Sequence, residues 1–387
     1  MKLKTTLLML MFSVAALAQF TTEAIPTGYY NSATGTGYTL KNQLRTIITN
    51  GHNPQSYTTG LWNLYSTSLR DNFYENDGSL LDIYSENPTG IDPYNYTSTS
   101  QQCGNYTTEG QCYNKEHLIP QAYFGNGAMP MYSDAHHVVP SDGKVNGWRD
   151  NLPFGVVSGT VTNGCNAGAT NTPCKTLNNS KIGNNLNSGY SSGFSGKVFE
   201  PIDEFKGDIA RTFFYFATRY QDDMDDFYSA AANTLEVKAM FDGSTNKVFS
   251  TTFLNIMLTW HANDPVSPKE VAFNNAIYNF QGNRNPFIDH PEYVQSIWGT
   301  PAGTDTFDIS TKVAVYPNPA TSNTVNISSE VEITSLRLIN INGQIVSSIQ
   351  NPVPDSGSVT LSNLPQGFYI LTINTAEGSA VKKVLVN

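Results

Sequence analysis

The pattern of apolar residues changes near residue 300, and this change constrains the fold more than any other feature of the sequence. Residues 203–223 place aromatic and aliphatic side chains three and four positions apart, as on one face of an α-helix. Residues 313–387 instead alternate apolar and polar side chains in short runs separated by turn residues, as antiparallel strands do. Because 387 residues also exceed what one hydrophobic core usually holds, we expect two domains.

The chain divides into four segments. Residues 1–18 carry two lysines, an apolar run and a terminal Ala-Leu-Ala, which together predict a cleaved signal peptide. Residues 19–300 form the predicted working domain, and residues 301–312 are small and polar, as in a linker. Residues 313–387 are predicted to form a small β-sandwich. No segment after the signal peptide has the roughly 20 continuous apolar residues that span a bilayer.

The four cysteines form two pairs with the same spacing, Cys103 with Cys112 and Cys165 with Cys174. Four cysteines allow three connectivities, and an exported chain favours disulfides, so we expect the two local bridges. A zinc site is the alternative, although eight residues between two cysteines match the usual zinc ligand spacing poorly.

The working domain is predicted to be α+β with few regular strands. One helix is indicated by an apolar stripe, formed by Ile209, Phe213, Phe216 and Tyr220. A second helix is expected after Ser267, where SPKE matches a capping box with proline at the first helical position. Residues 155–196 are dense in Gly, Asn, Ser and Thr, which predicts long loops.

The sequence KEHLIP, which begins at Lys115, combines two groups with hydrolytic chemistry. An imidazole can accept a proton from water near neutral pH, and a carboxylate can bind a divalent cation. Neighbouring residues on a regular strand point to opposite faces, so Glu116 and His117 can share a site only where the strand ends or bulges. Pro120 makes an end at this point plausible.

The second stretch, DAHHVVPSDGKVNGWRDN, is expected to supply a third group. VVP predicts a short strand that ends at Pro140, and a helix capped by Ser141 or Asp142 would follow it. Asn146 would then lie about one turn into the helix and offer its amide oxygen. Strand, strand and helix would enclose one cation.

These stretches resemble the endonuclease I family of secreted nonspecific nucleases. Four motifs carry the resemblance in the order of the family: YNKEHLIPQAYFG, DAHHVVPSDGKVNGWRDNLPFG, FEPIDEFKGDIARTFFYFATRY and QGNRNPF. It implies a ββα-metal nuclease core with additional helices and long loops. It also implies that His117 is the general base and that Glu116 and Asn146 bind magnesium, with manganese or calcium as alternatives. The implied reaction is one-metal hydrolysis of DNA, with RNA as a further substrate, to 5′-phosphate ends.

One departure from the family concerns arginine. Some relatives supply a transition-state arginine after the Glu-His motif, but YFGNGAMPMYSDA contains none. Arg149 and Arg211 lie in matching motifs and are the candidates; Arg149 has the alternative role of bonding loop carbonyls. His136 and His137 could form a zinc site with His117, but a strand would more simply bury one of the two and expose the other.

The final segment resembles the C-terminal sorting domain of the type IX secretion system. Four stretches match in order: VYPNPAT, LRLININGQIV, LPQGFYILTI and VKKVLVN. The resemblance implies export by a signal peptide and then by the type IX machinery, to the medium or the outer cell surface. No stable protein partner is inferred, and a monomer is expected.

The net charge of −10 argues mildly against a broad basic surface for nucleic acid, although an enzyme needs only a local positive groove. A catalytically inactive surface adhesin on a nuclease-like scaffold is therefore the alternative function. A zinc-dependent peptidase or phosphoesterase is a weaker hypothesis, because the sequence contains no His-Glu-x-x-His motif and the Glu-His order is reversed.

Overall fold

The computed structural model describes residues 25–125, 127–165, 173–229, 235–299, 312–340, 345–355, 357–375 and 378–387. The predicted signal peptide and nearly all of the predicted linker therefore lie outside the described residues. The chain separates into two compact units, and the division falls between Trp298 and Gly299. Among the described residues, no helix combines the length and the apolar character needed to cross a membrane.

The first unit is mainly helical. Its described residues form helices α1 to α10, at Gly37–Thr49, Gly60–Ser68, Gly143–Arg149, Lys206–Arg219, Met224–Ser229, Leu235–Met240, Thr251–Asn263, Pro268–Gln281, Pro286–Asp289 and Glu292–Ile297. The predicted capping box is confirmed at the start of α8. The Ser267 hydroxyl accepts a hydrogen bond from the Glu270 amide, and the Glu270 carboxylate accepts one from the Ser267 amide.

Helix α4 lies at the centre of this unit. All four residues of the predicted stripe are buried, from Ile209 at the first turn to Tyr220 just after the last. Burial also extends beyond the stripe, because every residue from Ile209 to Thr218 is buried. A helix that is enclosed on all sides needs no polar face, and α4 packs against both α1 and α7.

Two small sheets accompany the helices. Strands β1 (Tyr113–His117) and β2 (Val138–Asp142) form an antiparallel pair. A second sheet contains four strands, β3 to β6, in sequence order: Thr162–Asn163, Cys174–Lys175, Lys181–Asn184 and Lys197–Glu200. The prediction of long loops for 155–196 is thus only partly right. Strands of two to four residues are too short to leave a detectable period of two in the sequence.

Both predicted disulfides are confirmed. The Cα atoms of Cys103 and Cys112 are 5.7 Å apart, and those of Cys165 and Cys174 are 5.2 Å apart. All four cysteines are therefore bridged, which excludes them as zinc ligands. Because Cys112 directly precedes β1, the first bridge holds the loop before the Glu-His strand.

The second unit is all-β, as predicted. Its strands β7 to β13 are Val313–Tyr316, Val325–Ser329, Ile333–Asn340, Ile345–Gln350, Ser358–Leu361, Gly367–Thr375 and Gly378–Val386. They form a four-stranded sheet in the order β10-β9-β12-β13 and a three-stranded sheet in the order β11-β8-β7, with antiparallel pairing throughout. Side chains from both sheets, such as Ile327 and Leu338, share one hydrophobic core.

Candidate active site

Residues of strand β1 and helix α3 line an open cleft of about 280 Å³, and β2 pairs with β1. Glu116 and His117 are the last two residues of β1 and pair with Val139 and Val138. The prediction that the strand ends here is confirmed. Both side chains line the cleft, together with Asn146 from α3. The three residues singled out in the sequence are thus brought together.

Strand β2 does not end at proline, contrary to expectation. It continues through Pro140, which pairs with Lys115, to Asp142. Each strand of a two-stranded sheet is an edge strand, so the missing N–H of proline is tolerated. Helix α3 then begins directly, and its cap is Asp142 rather than Ser141: the Asp142 carboxylate accepts a 2.8 Å hydrogen bond from the Val145 amide.

Glu116 is buried, and its described side-chain contacts are all made by one carboxylate oxygen, Oε1. Its Oε1 accepts a hydrogen bond from the Tyr84 hydroxyl at 2.9 Å and lies 3.1 Å from the Arg149 guanidinium. None of the described residues donates to Oε2. Burial raises the pKa of Glu116 to about 7, and the charge of Arg149 opposes that rise. A bound cation would favour the charged carboxylate in the same way.

The side chain of Asn146 has a defined orientation. Its Nδ2 donates a 2.9 Å hydrogen bond to the Lys115 carbonyl oxygen. A carbonyl oxygen can only accept, so the amide nitrogen must face β1 and the amide oxygen is left for another partner. No described residue donates to that oxygen, which makes it available as a ligand in the cleft.

The tautomer of His117 follows from the hydrogen bond at its Nε2. Its Nε2 lies 3.1 Å from the Tyr132 carbonyl oxygen, which accepts only, so Nε2 carries the proton and Nδ1 keeps its lone pair. The rings of Tyr57 and Tyr132 stack near the imidazole, at 5.7 and 5.4 Å. His117 is only 6% exposed but lines the open cleft. Burial, helped by His137, lowers the pKa of His117 to about 3, which keeps the ring neutral.

Arg149 makes the backbone contacts expected of a structural residue. Its guanidinium donates to the carbonyl oxygens of His117 and Leu118 at 2.8 and 2.6 Å, beside its contact with Glu116. It therefore ties α3 to the end of β1, and the geometry favours the carbonyl-bonding role over the catalytic one. Arg211 is not near the cleft: it is fully buried and pairs with Glu270.

The two neighbouring histidines do not contribute to the cleft. The expectation that one of them faces outward is wrong, because both precede β2 in a turn and both are buried. His136 Nε2 lies 3.1 Å from the Asn283 carbonyl oxygen, and His137 Nε2 lies 2.7 Å from that of Met131. Each ring is held by backbone through Nε2, and neither residue lines the cleft with His117.

Sequence reasoning missed two residues of the site. The first is Lys115, which lines the cleft. Its Nζ lies 3.2 Å from the centre of the Trp62 ring, and burial lowers the pKa of Lys115 to about 8. None of the described carboxylates forms an ion pair with it. Lys115 belongs to the KEHLIP motif and could have been found there. The second missed residue is Tyr84, and nothing local in the sequence connects it with Glu116.

Comparisons with known proteins match both units. The family described as Endonuclease I matches residues 36–292, and the secretion system C-terminal sorting domain matches residues 314–387. The chain is 31% identical to an extracellular ribonuclease of Bacillus amyloliquefaciens over 294 residues, which cover 74% of this chain and 84% of that protein. It is 31% identical to an extracellular ribonuclease of Bacillus subtilis over 276 residues, covering 70% and 78% of the two chains. It is also 26% identical to Endonuclease-1 of Buchnera aphidicola over 156 residues, covering 40% and 44%.

Proposed function

Because this chain belongs to the endonuclease I family, we propose that it is a metal-dependent endonuclease that cleaves DNA and RNA and leaves 5′-phosphate ends. The sorting domain directs it into type IX secretion, so the nuclease is secreted or held at the outer surface. One observation carries the proposal. Glu116, His117 and Asn146 line a single cleft, and each has one polar atom there without a described partner.

The donor set of the cleft fits a hard cation. A carboxylate oxygen of Glu116 and the amide oxygen of Asn146 suit magnesium, with manganese or calcium as alternatives, and suit zinc less well. Magnesium usually keeps several waters and binds only one or two protein groups plus phosphate, which agrees with two ligands from the chain. When bound, the cation supplies charge stabilisation to the phosphate and to the departing 3′ oxygen.

His117 acts as the general base. Its Nδ1 accepts a proton from the water that attacks phosphorus, while the Tyr132 carbonyl holds Nε2–H and orients the ring. Tyr84 and Arg149 act as positioning residues, because their contacts fix the Glu116 carboxylate. Attack by water requires no 2′-hydroxyl, so this mechanism serves DNA and RNA alike. The ribonuclease names of two relatives support RNA as a substrate.

Lys115 supplies the positive charge that the missing arginine would provide. Lys115 lines the cleft, and none of the described carboxylates forms an ion pair with its ammonium, so we assign this charge to a phosphate of the substrate. We expect Lys115→Met to lower kcat by about 10²-fold, the usual loss when one charge-stabilising donor is removed. The matched control is Lys144→Met, since Lys144 also lies near a tryptophan ring, Trp148, but outside the cleft. Equal rates in the two variants would contradict the assignment.

Metal removal tests the proposed function directly. Supercoiled plasmid and single-stranded RNA, incubated with the full-length protein, should be cleaved in magnesium, left intact in EDTA and cleaved again after excess magnesium is restored. The nicked DNA should be resealed by a ligase without prior phosphorylation, because its ends carry 5′-phosphates. Cleavage that EDTA leaves unchanged would refute the metal mechanism, and no cleavage in any tube would favour the adhesin.

A further inference from the structure

A second group of carboxylates lies outside the cleft. Asp71, Glu75 and Glu86 bring one carboxylate oxygen each to within 4.8 Å of one another. Asp71 and Glu86 are 1% exposed, whereas Glu75 is exposed. None of the described lysines, arginines or histidines forms an ion pair with any of the three. Within the described part of the chain, no cationic side chain therefore pairs with this cluster.

Glu86 gives the second indication of a ligand. Its Oε1 is buried and has no hydrogen-bond partner among the described residues, although the side chain is directed into the cluster. A buried carboxylate oxygen without a partner is costly, and an absent ion is one of the few explanations for such an atom. Burial raises the pKa of Glu86 to about 9, and the negative charges of Asp92, Glu75 and Asp71 add to the rise. The charged form of this carboxylate is therefore unfavourable unless a cation is nearby.

Asp71 is held in place by backbone amides of the loop that follows it. Its Oδ1 accepts hydrogen bonds from the amides of Phe73 and Tyr74, both at 3.0 Å, and its Oδ2 accepts one from Asn76 at 2.9 Å. The carboxylate is thus fixed by the loop that follows it. Such backbone support orients a ligand before an ion arrives.

We propose that Asp71, Glu75 and Glu86 form a binding site for a divalent cation, with calcium as the preferred ion. Three carboxylates offer hard oxygen ligands, and the cluster contains no nitrogen or sulfur donor of the kind that zinc selects. Calcium accepts six to eight oxygens in flexible geometry, whereas magnesium requires a near-ideal octahedron. The exposed side of Glu75 lets water complete the coordination.

This site is connected to the cleft through one short segment. Glu86 is the last residue of the segment 82–86, and its amide donates a 2.9 Å hydrogen bond to the Asp82 carbonyl oxygen. The Asp82 carboxylate accepts a 2.7 Å hydrogen bond from the Asp142 amide at the start of α3, and Tyr84 contacts Glu116. An ion at Glu86 thus stabilises the segment that orients the Glu116 carboxylate, and its role is structural.

The test measures calcium-dependent stability of the full chain after removal of bound metal. All variants carry Glu116→Gln, which removes the carboxylate of the cleft, so the result is independent of the proposed function. Calcium at about 100 times its Kd should raise the Tm of this variant by roughly 5 °C. The rise should vanish when Glu75→Gln is added; because Glu75 is exposed, that change leaves the fold intact. Adding Asp225→Asn, at an exposed carboxylate elsewhere, should preserve the rise.

Two results would overturn the proposal. One is an equal rise in Tm with and without Glu75→Gln, which would place calcium elsewhere. The other is no rise in the Glu116→Gln chain, as expected if Glu75 and Glu86 simply share a proton. Calorimetric titration with calcium gives an independent measurement: it should detect one site in the Glu116→Gln chain and none after Glu75→Gln or Glu86→Gln is added.

Discussion

His117→Ala is expected to lower the rate of phosphodiester hydrolysis by roughly 10²- to 10⁴-fold, which is the usual contribution of a general base. The physical reason is the tautomer: the Tyr132 carbonyl holds the proton on Nε2, so Nδ1 faces the reaction as an acceptor. Alanine removes that acceptor and leaves Glu116 and Asn146 unchanged. The measurement is the initial rate of nicking of supercoiled plasmid at saturating magnesium.

The matched control for this variant is His290→Ala. His290 is partly exposed, contacts Glu292 and lies outside the cleft, so its loss should leave the rate unchanged. The magnesium affinity of His117→Ala should equal that of the unmodified protein, because His117 Nδ1 is proposed to accept a proton from water and not to bind the cation. Full activity in His117→Ala, with an intact circular dichroism spectrum, would refute the assignment of the base.

Glu116→Gln is expected to weaken apparent magnesium affinity by about 10²-fold or more. Replacing a residue that merely supports a metal ligand costs roughly 10- to 100-fold, so a direct ligand should cost at least the upper value. Glutamine can keep the contacts of Oε1 with Tyr84 and Arg149, but it replaces the free oxygen with an amide nitrogen that cannot bind a cation. Nicking rates measured across a magnesium titration give the affinity.

Glu204→Gln serves as the control for this substitution. Glu204 also accepts a hydrogen bond from a tyrosine hydroxyl, that of Tyr74 at 2.7 Å, but it lies outside the cleft. Its magnesium dependence should match that of the unmodified protein. If Glu116→Gln shows the same magnesium curve as Glu204→Gln, the cation is not bound by Glu116 and the one-metal mechanism fails.

Several features were predictable because their causes are local. The cap at Asp142 and the capping box at Ser267 need only residues within three positions of each other. The all-β second unit followed from period-two alternation, and the local disulfides from equal spacing in an exported chain. The end of β1 at His117 was expected from the proline that follows. In each case the sequence signal lies within about ten residues along the chain.

Other features depended on contacts between distant segments. The role of Arg149 was open in the sequence and became clear only where its guanidinium meets carbonyls 31 and 32 residues earlier. The expectation that one of the two histidines is exposed was wrong: the His136 ring is held by the carbonyl of Asn283, 147 residues away, and the His137 ring is held by that of Met131. Tyr84 reaches Glu116 across 32 residues, and no spacing rule relates the two.

The sequence by itself determined which chemical groups this protein carries. It also determined several elements whose signals are properties of neighbouring residues, namely the start of α8, the end of β1 and the all-β second unit. Only the tertiary structure decided which atoms of those groups remain available. One carboxylate oxygen of Glu116, one imidazole nitrogen of His117 and one amide oxygen of Asn146 are left without described partners because distant residues bind the others. The physical reason is that a hydrogen bond depends on positions in space, and folding sets those positions for residues far apart in the chain.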